Sequence, residues 1–303
     1  MEQDGVQIIT GVTFTNIMMA ILPQVTEKEV FVVGSMAGPG PLAGAQCSPY
    51  LFMASWQNDM LSEVVGQYAT EQGYKSVVAL APNYQAGKDY IAGFKRYYKG
   101  EILDEIYTPL NQLDFSAELT QLMAYQPDAV FIFYPGGLGI NFVRQYNLAG
   151  LNGQIPLLSA ASVDMTTLPA MKESALGVIS GSHWSPDLDV AENKAFIKAF
   201  KEKHGHMPSA YAAQSYDAAL LLDSAIAKVD GNLDDKKAFM KAMKEADFKS
   251  IRGNFRFGNN NFPILDMHTM EVVKGDDGQV TLKTIATPFK EHQDAYHGAC
   301  PMG

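Results

Sequence analysis

Short apolar runs alternate with longer stretches of helical periodicity along most of this chain. The apolar runs predict strands at residues 6–10, 30–33, 76–81, 102–108, 129–134, 156–159 and 178–182. Apolar positions with helical spacing predict helices at residues 16–25, 59–72, 87–98, 115–124, 138–149, 191–204, 210–229 and 234–246. Strands and helices that alternate in this way are typical of βαβ units. The pattern therefore predicts an α/β fold with mostly parallel sheets flanked by helices.

The C-terminal third has a different pattern. Residues 254–257, 267–274 and 279–286 are predicted to be strands. Residues 274–278 are rich in Gly and Asp, which is typical of a hairpin turn between the last two strands. No fixed-period repeat and no low-complexity tract interrupts the alternation.

Composition and charge exclude several classes of protein. The 303 residues are 47% hydrophobic and 18% charged, an ordinary globular mixture that excludes a disordered chain or a coiled coil. With 33 acidic and 23 basic residues the formal net charge is −10, which argues against nucleic acid and anionic lipid surfaces as partners. No apolar run approaches the roughly 18 residues that would span a membrane.

Motifs for catalysis or cofactor binding are incomplete. The glycine-rich run 136–139 follows a predicted strand, but Phe142 stands where a dinucleotide fingerprint needs its third glycine. No GxSxG is present, and His204 and His206 do not share a helix face as zinc ligands would. His183 follows a predicted strand, where α/β proteins bind ligands, but no catalytic partner accompanies it. We therefore predict neither an enzyme nor a cofactor or metal site.

Polar and aromatic residues follow several predicted strands. Thr15 and Asn16 open a helix, where hydroxyl, amide and backbone N–H groups can bind a carboxylate or can simply cap the helix. The ends of parallel strands share one edge of a sheet, so aromatic residues at these ends predict a ligand cleft lined by rings. These residues are Trp56, Tyr84, Tyr134 and Trp184.

The two cysteines, Cys47 and Cys300, are far apart, and neither lies in a CxxC motif. They allow a single disulfide that closes a long loop, or they are two unrelated thiols.

Several segments, in order, resemble the type I periplasmic solute-binding proteins of ABC transporters, in the branch that binds leucine, isoleucine and valine. The resemblance covers essentially the whole chain. Its segments are residues 11–16 (GVTFTN), 47–52 (CSPYLF), 83–89 (NYQAGKD), 114–116 (DFS), 126–130 (QPDAV), 142–146 (FVRQY), 149–151 (AGL) and 211–218 (YAAQSYDA).

The resemblance implies two α/β lobes that hold a ligand between them. It places three crossovers near residues 56–59, 183–184 and 261–263. Lobe 1 would comprise residues 1–56 and 185–261, and lobe 2 would comprise residues 57–184 and 262–303. The family begins with a signal peptide and a further strand–helix–strand, and neither precedes the first predicted strand here. We therefore expect lobe 1 to be incomplete at its N-terminus.

The resemblance also implies a set of binding residues. Thr15 corresponds to the family's carboxylate-binding serine, and Met36 and Gly38 lie in the next binding loop, where the expected threonine is replaced by Gly38. The full set of expected ligand-binding residues is Thr15, Asn16, Met36, Gly38, Trp56, Tyr84, Tyr134, Gly136, Ser162, His183, Trp184 and Tyr211.

The acidic residue with which the family holds a substrate α-amino group corresponds to Ala161, next to Ser162. An ammonium group buried without a counter-charge is costly, and Asp164 would have to bend back to supply one. We therefore expect a small organic carboxylate without an ammonium group, and an aromatic acid in particular. The alternatives are a branched-chain amino acid or amide, a ligand sensor of the same fold, and an α/β enzyme.

The resemblance implies a periplasmic, monomeric protein that passes its ligand to the permease of an ABC transporter. Periplasmic export also favours a disulfide between Cys47 and Cys300, which would hold the C-terminal tail near the first crossover.

Overall fold

The structure is a computed structural model that describes residues 3–302. It divides into two compact units. Unit 1 contains the described residues up to Asn58, Leu188–Asp266 and the described residues from Glu291 onward. Unit 2 contains Asp59–Asp187 and Met267–Lys290. The chain therefore passes between the units four times.

The elements follow the predicted order. The strands are β1 (Ile8–Thr10), β2 (Phe31–Gly34), β3 (Leu51–Met53), β4 (Ser76–Pro82), β5 (Glu101–Thr108), β6 (Ala129–Ile132), β7 (Leu157–Ala160), β8 (Ile179–Ser182), β9 (Arg256–Phe257), β10 (Pro263–Lys274) and β11 (Val280–His292). The helices are α1 (Thr15–Glu27), α2 (Gly40–Ala43), α3 (Asn58–Glu71), α4 (Gln85–Tyr97), α5 (Ser116–Tyr125), α6 (Gly137–Leu148), α7 (Leu168–Met171), α8 (Ala191–His204), α9 (Ala210–Lys228) and α10 (Lys236–Glu245). The predicted α/β class with mostly parallel sheets is confirmed.

Unit 1 is built on a sheet of three parallel strands in the order β1-β2-β3. Successive side chains of a strand point to opposite faces, so the apolar run of β2 is buried on both sides. Val32 packs in the cluster formed with α1, whereas Phe31 and Val33 pack in the cluster formed with α9 and α10. The sheet therefore lies between two layers of helices.

Helix α2 was not predicted, and two further elements of unit 1 differ from the prediction. The helix predicted at residues 16–25 was expected to end near Pro23, where proline interrupts the helical hydrogen bonds, yet α1 continues through Pro23 to Glu27. Leu22 and Val25 on either side of the proline are buried in the core, and this packing outweighs the backbone hydrogen bond that proline removes. Strand β3 was not predicted, because its three apolar residues are too few for periodicity to identify.

Unit 2 is built on the larger sheet, in the order β11-β10-β8-β7-β6-β4-β5. Strands β5, β4, β6, β7 and β8 are mutually parallel, and β10 pairs antiparallel with β8. One face carries a core of buried side chains from these strands and from α5 and α6. The parallel order brings the carboxyl ends of β4, β6, β7 and β8 to one edge of the sheet.

A charged cluster in unit 2 joins α3 to α4. Arg96 Nη2 donates to Asp59 Oδ2 at 2.9 Å, and Arg96 Nη1 donates to Glu63 Oε1. Both carboxylates are buried, so the guanidinium compensates for their removal from water.

The C-terminal tail belongs to unit 1, whereas the sequence assigned residues 262–303 to lobe 2. Three contacts explain the difference. Cys300 forms a disulfide with Cys47, Asn260 Nδ2 donates to Asp294 Oδ2 at 3.0 Å, and the Tyr296 ring packs on Gly40.

Within residues 3–302, no helix is long and apolar enough to cross a membrane.

Removal of the disulfide should destabilise unit 1. The double variant Cys47→Ser/Cys300→Ser opens a loop with a sequence separation of 253 residues. Because a long loop gains much entropy when it is opened, we expect the free energy of unfolding to fall by about 2–5 kcal/mol. Differential scanning calorimetry measures the change. Reductant should lower the melting temperature of the wild type but not that of the variant. Equal responses of the two proteins to reductant would contradict the bond.

Asp187 ties the loop after β8 to β11. Its Oδ1 accepts hydrogen bonds from Ser185 Oγ at 2.5 Å and Thr284 Oγ1 at 2.6 Å, and its Oδ2 accepts from the Thr284 N–H at 2.9 Å. Burial acts to raise the pKa of Asp187, but these hydrogen bonds outweigh burial and lower it below its ordinary value.

The lowered pKa of Asp187 predicts a contribution to stability that depends on pH. In the acidic range the unfolded chain binds the proton more readily than the folded one, so stability rises with pH. The contribution is complete above the ordinary aspartate pKa of about 4 and is lost as pH falls through the folded value. Asp187→Asn should therefore lower the melting temperature at pH 7, with a difference from wild type that shrinks toward pH 3.

Circular dichroism melts at pH 7, 5 and 3 measure this difference. Asp276→Asn, in the exposed turn between β10 and β11, is the matched control and should match wild type throughout. A deficit for Asp187→Asn that stays constant with pH would refute the ionic role.

Candidate functional site

In unit 1 the predicted binding residues lie at one edge of the sheet. Strands β1, β2 and β3 are parallel neighbours, so the segments that follow them emerge at the same edge. Thr15 comes after β1, Met36 and Gly38 after β2, and Trp56 after β3. Tyr211 joins them from the first turn of α9, where its ring centroid lies 6.4 Å from that of Trp56.

Asn58, the first residue of α3, connects these segments. Its Nδ2 donates to Thr15 Oγ1 at 3.2 Å, and its Oδ1 accepts from the Gly38 N–H at 3.1 Å. The Thr15 hydroxyl oxygen thus accepts a hydrogen bond from Asn58, while the hydroxyl proton has no acceptor among the described residues. Thr15 is therefore held as a hydrogen-bond donor. Asn16, beside it on α1, is exposed.

Gly38 has a different role from the predicted one. Its N–H was expected to bind a ligand carboxylate, but this N–H donates to Asn58. A Cβ at this position would lie 2.0 Å from the carbonyl oxygen of Trp56, so only glycine fits. The same contact leaves no space for the threonine of the family. Gly38 therefore allows two backbone segments to approach each other closely.

The donors of this loop are the two preceding amides. The N–H groups of Met36 and Ala37 donate no hydrogen bond within residues 3–302. Ser55 Oγ donates to the Met36 carbonyl at 3.3 Å and so holds the loop against the segment that carries Trp56. Unit 1 thus offers a hydroxyl, two amides and two aromatic rings at one edge.

In unit 2 the predicted residues also follow neighbouring parallel strands. Tyr84 follows β4, Tyr134 and Gly136 follow β6, Ser162 follows β7, and His183 with Trp184 follows β8. These strands are adjacent in the sheet, so the residues share its carboxyl edge.

Tyr84 stands immediately before α4 at this edge. Its ring stacks on Phe133 at 6.3 Å, and Phe133 stacks on Tyr90 at 3.8 Å. Burial, reinforced by the Asp89 carboxylate, raises the pKa of the Tyr84 phenol well above its ordinary value. The phenol therefore stays protonated at any physiological pH. Its hydroxyl has no partner among the described residues and can donate to a carboxylate.

Tyr134 does not line this edge as predicted. Its ring lies in the core of unit 2, between Phe115 at 5.0 Å and Phe142 at 5.2 Å, and it has no exposed surface. Its hydroxyl accepts from Thr108 Oγ1 at 3.2 Å, which gives the buried phenol oxygen a hydrogen-bond partner. The neighbouring aromatic residues draw the ring inward, a preference that position after a strand does not reveal.

Gly136 turns the chain into α6. Its φ of 58° favours glycine, and it leaves the first N–H groups of α6 without partners inside the helix. A Cβ on Gly137 would meet nothing within 4 Å, so there is open space beside the start of this helix.

Ser162 holds backbone rather than offering its hydroxyl to a ligand. Its Oγ accepts from the Tyr134 N–H at 2.7 Å and donates to the Ala160 carbonyl at 3.3 Å. The side chain is fully buried. The predicted binding role is therefore replaced by a structural one, because this hydroxyl satisfies backbone groups at the ends of two strands.

No carboxylate stands at position 161, where Ala161 adopts a left-handed φ of 52°. The nearby Asp164 caps its own turn, and its Oδ1 accepts from the Thr166 N–H and hydroxyl, both at 2.5 Å, and from the Thr167 N–H at 3.3 Å. This carboxylate oxygen is committed to the turn.

His183 lies in a bend directly after β8 and is followed by Trp184, and both are buried. Ser182 Oγ accepts from the Trp184 N–H at 3.2 Å and donates to the Trp184 carbonyl at 2.6 Å. Ser182 thereby fixes the backbone direction at the end of β8.

Across the described part of the chain, no group of three or more His, Cys, Asp or Glu side chains could hold a metal ion.

Sequence reasoning missed Asn58. It assigned the loop of Met36 and Gly38 to carboxylate binding through the resemblance, but it did not identify the Met36 and Ala37 amides as the donors left without an acceptor. Asn58 follows a strand of the same sheet as Thr15, but β3 was not recognised, so its position at the shared edge was not apparent. Amide donors carry no side-chain signal.

Comparisons with known proteins agree with this architecture. A profile described as periplasmic binding protein matches residues 1–279. The Leu/Ile/Val-binding protein homolog 6 of Brucella melitensis is 28% identical over 298 residues, which cover 95% of this chain and 76% of that protein.

Two solved structures of ABC transporter solute-binding proteins from R. palustris are also similar. One, in complex with benzoate, has a TM-score of 0.89 and 28% identity over 96% of this chain and 80% of its own. The other, in complex with 4-hydroxybenzoate, has a TM-score of 0.88 and 27% identity over 97% of this chain and 81% of its own. The chain therefore belongs to the periplasmic binding protein family and has the type I fold of ABC transporter solute-binding proteins.

Proposed function

We propose that this protein captures a small aromatic carboxylate of the benzoate class and delivers it to the permease of an ABC transporter. Each unit offers candidate binding residues at the carboxyl edge of its own sheet, and the protein works outside the cytoplasm. The observation that carries the proposal is the combination of neutral hydrogen-bond donors and aromatic rings. Position 161, where the resemblance expects an acidic residue, is an alanine.

The donors suit a carboxylate. The Thr15 hydroxyl, oriented by Asn58, and the amides of Met36 and Ala37 lie at the carboxyl edge of the unit 1 sheet. The protonated Tyr84 phenol lies at the carboxyl edge of the unit 2 sheet. Hydrogen bonds to an ionised acceptor are stronger than bonds between neutral groups. The rings of Trp56, Tyr84 and Tyr211 supply flat apolar surface for the body of the ligand.

An amino acid fits less well. Its ammonium group would need a buried counter-charge, and Ala161 stands where the resemblance expects one. The Brucella relative is named for leucine, isoleucine and valine, whereas the two R. palustris relatives hold benzoate and 4-hydroxybenzoate.

The disulfide and the family support the location. Cys47 and Cys300 form a bond that persists in oxidising compartments. Periplasmic binding proteins of this type act with a membrane permease, which we propose as the partner.

Isothermal titration calorimetry tests the ligand class. Benzoate and 4-hydroxybenzoate should bind, whereas benzamide, leucine and valine should bind far more weakly. A ligand at 100 times its Kd should also stabilise the fold by about 2.7 kcal/mol. Leucine binding tighter than benzoate binding would overturn the proposal.

Thr15→Val removes the hydroxyl with little change of shape and should weaken benzoate binding. A hydrogen bond to a charged group contributes about 1.5–3 kcal/mol, which corresponds to about 10–100-fold in Kd. Tyr84→Phe should act in the same direction. Tyr125→Phe, which removes an exposed phenol on α5, is the control and should keep wild-type affinity. Unchanged benzoate affinity in both Thr15→Val and Tyr84→Phe would count against the assigned donors.

A further inference from the structure

Arg252, which lies between α10 and β9, is buried, with 1% of its side chain exposed. Its Nε donates to Asp217 Oδ2 at 2.8 Å, its Nη1 to the Ser55 carbonyl at 2.9 Å and its Nη2 to the Ala54 carbonyl at 2.6 Å. The guanidinium thus binds a side chain of α9 and two consecutive carbonyls after β3 with one planar fork.

Asp217 is itself fixed from three directions. Its Oδ2 accepts from Ser250 Oγ at 2.6 Å as well as from Arg252, and its Oδ1 accepts from the Ile251 N–H at 3.1 Å. Asp217 is fully buried, and the guanidinium lies 5.2 Å from the ring centre of Phe255. The pair is therefore rigidly placed within unit 1.

The Arg252–Asp217 pair, called the clamp below, joins the two elements of unit 1 that carry its candidate aromatic rings. Trp56 directly follows the two carbonyls that Arg252 holds, and Tyr211 lies on the helix that carries Asp217. These rings lie 6.4 Å apart with an interplanar angle of 50°. One guanidinium thus connects the backbone of Trp56 to the helix of Tyr211.

We propose that the Arg252–Asp217 pair is a specificity-determining positioning device, which sets the arrangement of Trp56 and Tyr211 and thereby the ring size of the carboxylate that is accepted. Arg252 is buried beneath the site and acts through the segment that it holds. The claim about ring size rests on the proposed function, whereas the claim about Trp56 position does not.

Two substitutions test the device. Arg252→Lys keeps a cation for Asp217, but a single ammonium cannot reproduce the fork that holds both carbonyls. Ser250→Ala is milder, because it removes one hydrogen bond to Asp217 and leaves Arg252 in place. The matched control is Arg96→Lys, the same substitution in the ion-pair cluster of unit 2.

The first measurement needs no ligand. The chain has two tryptophans, so protein labelled with 5-fluorotryptophan gives two ¹⁹F resonances, which a Trp184→Phe variant assigns. In Arg252→Lys the Trp56 resonance should shift or broaden, Ser250→Ala should show a smaller change, and Arg96→Lys should show none. If Arg252→Lys does not fold, the Ser250→Ala spectrum decides.

The second measurement is the ratio of the Kd for 2-naphthoate to the Kd for benzoate. Wild type should prefer benzoate, and Arg252→Lys should reduce this preference at least fivefold, with a smaller reduction in Ser250→Ala. If the pair had only a structural role, Arg252→Lys would lower stability and raise the Kd for both acids by the same factor, so that the Kd ratio would stay at the wild-type value, as we expect in Arg96→Lys.

The outcomes separate the two proposals. An unshifted Trp56 resonance together with an unchanged Kd ratio, in variants that still bind benzoate, overturns the clamp alone. Failure of wild type to bind either acid overturns the proposed function and with it the claim about ring size. In that case the ¹⁹F spectra still decide whether Arg252 holds Trp56.

Discussion

The guanidinium of Arg252 holds the backbone segment of unit 1 that leads into its candidate binding residues. The carbonyls of Ala54 and Ser55 lie beyond the last paired residue of β3, Met53, and buried carbonyls without partners are costly. Arg252 supplies the missing donors, and Asp217 compensates for the buried charge. A buried ion pair adds little net stability in general, so its value here is geometric. From this anchor the chain runs directly to Trp56 and to Asn58, which in turn holds Thr15 and Gly38.

The candidate residues occupy the same position in both units but differ in chemistry. Each places its candidate residues at the carboxyl edge of a parallel sheet, where the backbone leaves the strands and N–H groups at helix starts point outward. Unit 1 contributes a hydroxyl, amides and two rings, whereas unit 2 contributes a protonated phenol and the open start of α6. None of these groups is an activated nucleophile or base.

The alternation of apolar runs and helical spacing was enough to predict the α/β class and most elements. Order along the chain also placed the candidate residues near strand ends. The direction of a side chain at a strand end depends on its neighbours in space, which is why Tyr134 turned out to be core and Ser162 to bind backbone. The role of Gly38 depends on a close approach of segments that are distant in sequence, and so does that of Asn58. Pro23 predicts the end of a helix, but α1 continues past it. The burial of Leu22 and Val25, which stabilises the helix across the proline, is a tertiary effect that local sequence does not reveal.

The connectivity of the units has a consequence for the order in which they can form during synthesis. The parallel strands β4–β8 of unit 2 come from one continuous stretch, Asp59–Asp187, and can pair as soon as that stretch is available. Unit 1 draws on three separate stretches, and the disulfide partner of Cys47 is residue 300. The ribosome has made all of unit 2 and most of the described part of unit 1 before Cys300 exists. The disulfide that closes unit 1, which contains Thr15 and Trp56, can therefore form only after the parallel strands of unit 2 have been made.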